Sequence, residues 1–299
     1  MSGGGRALGG LLLLVAGCAG VPGGRVVPLP ETPVPEAVRT RFALDPFYQQ
    51  FLAAAELPIV ASSRVDPLAL VEARAIVLQM CAERPEILAA LAAANVRLAV
   101  MAHDEFTTEL PEHSDLEPAA YWDVRARGLG ATAVRPAVSC GEENLLALAG
   151  DPYSTENILV HEFAHAIHQM ALDRLDPTFD GRLHAAFARA RGAGLWEGTY
   201  AATNAEEYWA EATQSWFDTN RADDDQHNHV DTRDELRAYD PPLADLCREV
   251  YGERSWRYEN PRDRHDPGHF RGFDRAAAPR FAWPEEKRRA FDALEGPPR

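Results

Sequence analysis

Apolar positions recur with a helical period in two stretches near the start of the folded part of this chain. Asp66-Pro67 reads as a helix N-cap and first helical residue, and the apolar-periodic stretch behind it predicts a helix to about Ala82. Pro85 to Ala94 continues as a second helix. The pattern then changes, and the alternation in Val96-Arg97-Leu98-Ala99-Val100-Met101 predicts a strand. Residues 103–127 read as mostly irregular, with a second strand near Thr132 to Val138.

Further along, Ser154 or Thr155 is placed to cap a helix running to about Leu172, and Gly181 to Arg191 predicts another. Leu195 to Tyr200 reads as a short connector or strand, and Asn204 as the N-cap of a helix reaching about Asp218. Thr232 to Tyr239 and Leu243 to Tyr251 fit two short helices, and the Arg-, Asp- and Pro-rich tail after Trp256 reads as irregular. Helices outnumber strands, so the expected class is α+β: a helix-rich domain with a small mixed sheet.

Two of these helices have unusual faces. On the 155–172 helix, Asn157, His161, Glu162, His165, His168 and Gln169 share one narrow polar sector, and apolar residues cover the rest. A solvated face is usually wider and carries Lys or Arg, so this helix is expected to be largely buried. On the helix after Asn204, Glu207, Glu211, Gln214 and Asp218 form one stripe, while Ala205, Tyr208, Trp209, Ala210, Ala212, Trp216 and Phe217 occupy nearly everything else. Its carboxylates are expected to point inward.

The first of these faces carries His161-Glu162-Phe163-Ala164-His165. Histidines four residues apart on a helix differ by about 40° around the axis and one turn along it, so both imidazoles reach one ion. Glu162 diverges too far to share that ion, but it is placed to take a proton from a water beside it. His168 lies about 10.5 Å of helical rise from His161 and is set aside as a ligand. Catalytic zinc commonly takes two His and one Glu. Glu207 is therefore the expected third ligand, with Glu206 as its competitor, and Glu211 one turn on is expected to hydrogen-bond a ligating imidazole. One zinc ion is the expected cofactor.

The run from His161 to His165, followed by Tyr200-Ala-Ala-Thr-Asn204-Ala-Glu-Glu207-Tyr-Trp-Ala-Glu211, resembles the catalytic domain of anthrax lethal factor and its relatives, which are gluzincin peptidases. The likeness covers roughly residues 154–219. It implies a zincin-like fold with His161, His165 and Glu207 as zinc ligands and Glu162 as base. It also implies that Tyr200 stabilises the oxyanion or protonates the leaving amine. A gluzincin offers a strand edge to an extended substrate, and the expected edge here is Val96 to Met101.

Charge and composition change the picture in two places. With 46 acidic against 30 basic residues the net charge is −16, which repels phosphate backbones and argues against a nucleic-acid partner. At the start, Arg6 precedes the apolar run Leu11 to Ala16, too short to cross a bilayer but the length of a signal-peptide core. Val15-Ala16-Gly17-Cys18 resembles a bacterial lipobox, so Cys18 is the expected lipidation site, with ordinary cleavage near Ala19 as the alternative.

The expected organisation is a lipoprotein-type signal peptide over 1–17, a Pro/Gly-rich tether over 18–40 and a single zincin-like catalytic domain over 41–299. Cys81, Cys140 and Cys247 then permit one disulfide with one free thiol. The run Asp223 to His229 reads as a solvated acidic loop.

The expected function is that of an exported zinc-dependent metallopeptidase, lipid-anchored at the bacterial cell envelope and acting on a peptide or protein. Two alternatives stand beside it: a zinc hydrolase of a non-peptide or cell-wall amide, and a catalytically silent envelope lipoprotein.

Overall fold

A computed structural model describes residues 27–295. The signal peptide, Cys18 and the first part of the tether lie outside the described residues. Within them the chain runs α1 (Glu36–Phe42), β1 (Gln50–Ala54), β2 (Leu57–Ala61), α2 (Pro67–Met80), α3 (Glu86–Ala93), β3 (Arg97–Met101), α4 (Ala119–Arg125), β4 (Gly128–Leu129) and β5 (Ala137–Gly141). It continues through α5 (Glu142–Leu145), α6 (Ile158–Ala166), α7 (Asp173–Leu175), α8 (Phe179–Gly192), α9 (Ala205–Trp216), α10 (Arg233–Tyr239), α11 (Pro241–Tyr251) and α12 (Glu285–Glu295). The class is α+β, helix-rich with one mixed sheet.

The sheet order is β1-β2-β3-β5-β4. β2, β3 and β5 run parallel, and β1 and β4 pair antiparallel on the two outer sides. β3 therefore sits in the middle with both of its edges taken, which corrects the expectation that it offers an edge to substrate. The free edge beside the polar helix is β4.

Several boundaries differ from the sequence reading. Helix α1 and the bridge between Glu31 and Phe51 extend the packed region into residues 18–40, read as tether. Val34 is buried there against Phe42, Tyr48 and Val60, which outweighs the proline content. The second strand falls at Ala137–Gly141, beyond the predicted Thr132–Val138. α4 occupies a region read as irregular, and α12 forms in the tail. Cys81, Cys140 and Cys247 are all buried free thiols, so the permitted disulfide does not form among the described residues.

The predicted caps are in place on two helices. The Asp66 carboxylate accepts the Leu68 N–H at 2.9 Å, and the Asn204 side chain accepts the N–H of Glu207 at 2.7 Å. The cap before α6 is Asn157, not Ser154 or Thr155. Its side chain accepts from Val160 N at 3.0 Å. The preceding loop is held out of the helix by Asn144, whose amide donates to Tyr153 O and Glu156 O while its oxygen accepts the Ile158 N–H.

α6 packs against β5 and β4 on one side and α9 on another. Leu159, Val160, Phe163 and Ala164 are fully buried, and each of the larger side chains contributes on the order of 1.5–3 kcal/mol. The Trp209 indole N–H donates to Ala164 O at 3.0 Å, fixing the register of α9 on α6. Beyond Ala166 the helix widens into a π-helical segment, Ile167–Leu172.

Candidate metal centre

The register of α6 on α9 brings His161 and His165 against Glu207. His161 Nε2 lies 3.0 Å from Glu207 Oε2 and 3.2 Å from His165 Nε2, and His165 Nε2 lies 3.4 Å from Glu207 Oε2. A tetrahedral zinc ion with bonds near 2.05 Å separates its ligand atoms by about 3.3 Å, so the triangle has the right size. Among the described residues this is the one cluster of three or more His, Cys, Asp or Glu side chains close enough to hold a metal.

Proton counting agrees. His161 Nδ1 lies 2.8 Å from Gln214 Oε1, an acceptor, so Nδ1 carries the hydrogen and Nε2 presents a lone pair. That lone pair faces the Glu207 carboxylate and the second imidazole. With Glu207 Oε2 at 3.0 Å, two acceptor atoms face each other, and a cation between them, shared with His165 Nε2, satisfies both. In the absence of metal a proton is the partial answer: burial opposes it, but the hydrogen bond to Glu207 and the charges of Glu162, Glu211 and Glu207 push His161 up to about 10. Burial likewise opposes ionisation of Glu207, yet hydrogen bonds to His161 and His165 hold it well below the usual carboxylate range. Glu162, Glu207 and Glu211 have no Lys or Arg within ion-pair distance among the described residues. A divalent cation fits this donor set.

Glu162 sits on the same helix with its carboxylate in the cleft, hydrogen-bonded to no described residue and raised above the usual range first by burial, against the opposing pull of His161 and His165. Tyr200 lies across from His161, ring centroids 6.2 Å apart, with its hydroxyl beside both Glu207 and the Arg125 guanidinium. Burial, then the Glu207 charge, raises that phenol, so it is a neutral O–H donor at neutral pH. Leu195 to Tyr200 is a short connector, not a strand: a turn that leads into a 3₁₀ turn at Tyr200–Ala202.

Glu211 does not make the contact expected of it. Gln214 takes the His161 Nδ1 hydrogen bond, and Glu211 Oε1 stands 3.5 Å away. Glu211 instead accepts from Asn220 Nδ2 at 3.1 Å and faces His227 Nε2 at 3.3 Å. The 223–229 loop is thus more than a solvated acidic run, since it delivers the buried His227 behind the centre. His168 points away, its Nε2 3.1 Å from Asp180 Oδ1 and its ring against Phe179. Glu206 lies outside the cluster of three. Asp218 has left the stripe, with φ 55° past the helix end, where it accepts the Arg233 N–H.

Two adjoining open cavities meet at this centre and share Arg125, Ala126, Gly128, His161, Glu162 and Tyr200. β4 forms a wall of both. A Cβ at Gly128 would stand 2.5 Å from Ile158 Cγ2 and 2.9 Å from Glu162 Cγ, and one at Gly130 would stand 2.7 Å from His165 Cβ. Glycine at these positions lets the strand lie directly on the ligand helix. Sequence reasoning missed Gln214's role, His227, Gly128 and Gly130. Gln214 stood on the right stripe, but nothing local separates it from Glu211.

No family model matches the chain, and no curated protein matches it. Among solved structures it is similar to the Pro-Pro endopeptidase PPEP-2 of Paenibacillus alvei, at 16% identity and a TM-score of 0.39 over 66% of this chain and 98% of that one. At this TM-score the likeness does not extend to chemistry, and the metal centre rests on its own geometry.

Proposed function

We propose that the chain is a zinc-dependent metallopeptidase that hydrolyses peptide bonds. The observation that carries this reading is the convergence of His161 Nε2, His165 Nε2 and Glu207 Oε2 within 3.0–3.4 Å beside an unpaired Glu162 carboxylate. Zinc held there would supply Lewis acidity toward a carbonyl and lower the pKa of a water to about 7. Glu162 is the base: raised by burial and without a hydrogen-bond partner among the described residues, it takes a proton at its carboxylate and returns it to the leaving amine. Tyr200, neutral, donates its hydroxyl hydrogen to the oxygen on which charge develops. Gln214 holds His161 in the tautomer that turns Nε2 to the metal.

The edge of β4 lies along both cavities and would pair with an extended peptide, aligning it across Glu162. The resemblance of residues 154–219 to the lethal-factor group favours a peptide over another amide as substrate. In this reading the chain is exported and tethered to the envelope by lipid on Cys18. None of the described helices is long and apolar enough to cross a membrane.

Elemental analysis tests the metal: one zinc per chain is expected, falling toward zero in His165→Ala. Mass spectrometry of the mature N-terminus tests the anchor, and an unmodified terminus beyond Cys18 would remove it.

A further inference from the structure

Three arginines line the inner cavity, and two of them are already neutralised. Arg127 makes a two-pronged ion pair with Glu143, at 2.6 and 3.0 Å, and is buried. Arg221 faces Glu156 at 3.0 Å and Asp224 at 3.5 Å. Arg125 differs. Among the described residues no carboxylate lies within 4 Å of its guanidinium, and its charged-state neighbours are Tyr200, Tyr153 and Tyr121, all neutral phenols at neutral pH. Among the described residues it is the one arginine shared by both cavities, and no lysine lines either of them.

This position is built rather than incidental. A cation suits the last turn of α4, where it meets the helix dipole, but that role is served equally by a side chain pointing away from the cleft. Arg125 lies in the cleft, and its backbone is fixed there. Its carbonyl accepts from the Tyr153 hydroxyl at 3.2 Å. α4 itself is clamped by α12, with Lys287 Nζ 2.5 Å from Asp123 Oδ2, Tyr121 stacked on Phe291 at 5.9 Å, and the Trp283 indole N–H donating to Asp123 O just before α12. An exposed guanidinium carried on this anchored backbone and lacking an anion, in a protein of net charge −16, is arranged for an anion that arrives. The surrounding Glu156, Glu162, Glu207 and Glu211 disfavour a polyanion, so a single carboxylate fits best.

We propose that Arg125 is a specificity-determining residue that binds a carboxylate of the substrate close to the scissile bond, either an acidic side chain or a free C-terminus. This rests on the peptidase reading above. Arg125 is beside Tyr200 and hence beside the reacting carbonyl, so the carboxylate it selects lies within a few residues of the cut.

The test begins with the zinc-loaded wild type and a random peptide library, with cut positions read by mass spectrometry. Enrichment of Asp, Glu or a free C-terminus within three residues of the cut is expected, and a library without that enrichment overturns the proposal with no variant needed. The best-cleaved sequence is then made with Glu or Gln at the selected position and with a free or amidated C-terminus, which separates the two carboxylate sources. Wild type is expected to favour the carboxylate form in kcat/KM about tenfold or more, Arg125→Gln to bring that ratio near one, and Arg125→Glu to invert it. A ratio unchanged in both variants overturns the proposal, because an arginine that merely holds Tyr200 or α4 lowers both peptides alike. If the wild type cleaves nothing, the peptidase reading is what fails. Calorimetry with capped Ala-Glu-Ala and Ala-Gln-Ala tripeptides then decides Arg125: equal binding of the two overturns its role.

Discussion

His161 Nδ1 and Gln214 Oε1 lie 2.8 Å apart, and this contact decides which nitrogen His161 turns toward Glu207 and His165. The Gln214 amide is oriented by its other end, which donates to Glu156 Oε2 at 3.0 Å, so its oxygen is left for the imidazole. A glutamine on α9 thereby sets the protonation of a histidine on α6.

Replacing that glutamine tests the arrangement. Gln214→Leu is expected to weaken zinc binding about 10- to 100-fold, read by competition with a chelating dye. Unchanged affinity would show that Glu211, at 3.5 Å, takes over the contact.

Gly128 offers a test of packing. A methyl group there meets Ile158 Cγ2, Ser139 O and Glu162 Cγ, all inside 3.0 Å, and the backbone carbonyl cannot retreat without breaking the β4–β5 ladder. Gly128→Ala is expected to lower stability in urea by about 1–3 kcal/mol and to reduce activity by displacing Glu162. A stability equal to wild type would mean that β4 stands off α6.

His227 carries a pH signature. Burial works against its charge, but the hydrogen bonds and charge from Glu211 and then Asp224 win, so its folded pKa is raised. A raised imidazole contributes stability fully below its unfolded value of about 6.5 and loses it as pH climbs through the folded value. In the zinc-free protein the melting-temperature gap between wild type and His227→Asn is therefore expected to be widest below about pH 6.5 and to narrow on the alkaline side. A gap that widens with pH contradicts this.

Much of this architecture is legible in the sequence where the cause is local. Asp66-Pro67 and Asn204 start their helices because cap chemistry acts over three residues, and the buried stripe of α9 follows from its period. The hairpin β1–β2 is not legible in the sequence because its turn, Ala55-Glu56, lacks the Asn or Gly that marks such turns, although Ala55 adopts φ 52°. Pro58 disguises β2 further. It is tolerated because the ladder to β3 begins only at Ile59. Without that hairpin, β3 reads as an edge. The start of α6 is not local either, since Asn144, more than ten residues upstream, holds the preceding loop open. The choice of Gln214 over Glu211 at His161 is also nonlocal, since it depends on the rotation of one helix against another.

The central claim is that Glu162 acts as a base beside a zinc ion held by His161, His165 and Glu207. The direct measurement is cleavage of a peptide library by zinc-loaded wild type and by Glu162→Gln, with the zinc content of both determined on the same samples. One zinc per chain in each, with cleavage in the wild type reduced about 10²- to 10⁴-fold in the variant, is the predicted result. Equal cleavage by the two, or one bound zinc in a wild type that cleaves no peptide, would contradict the account.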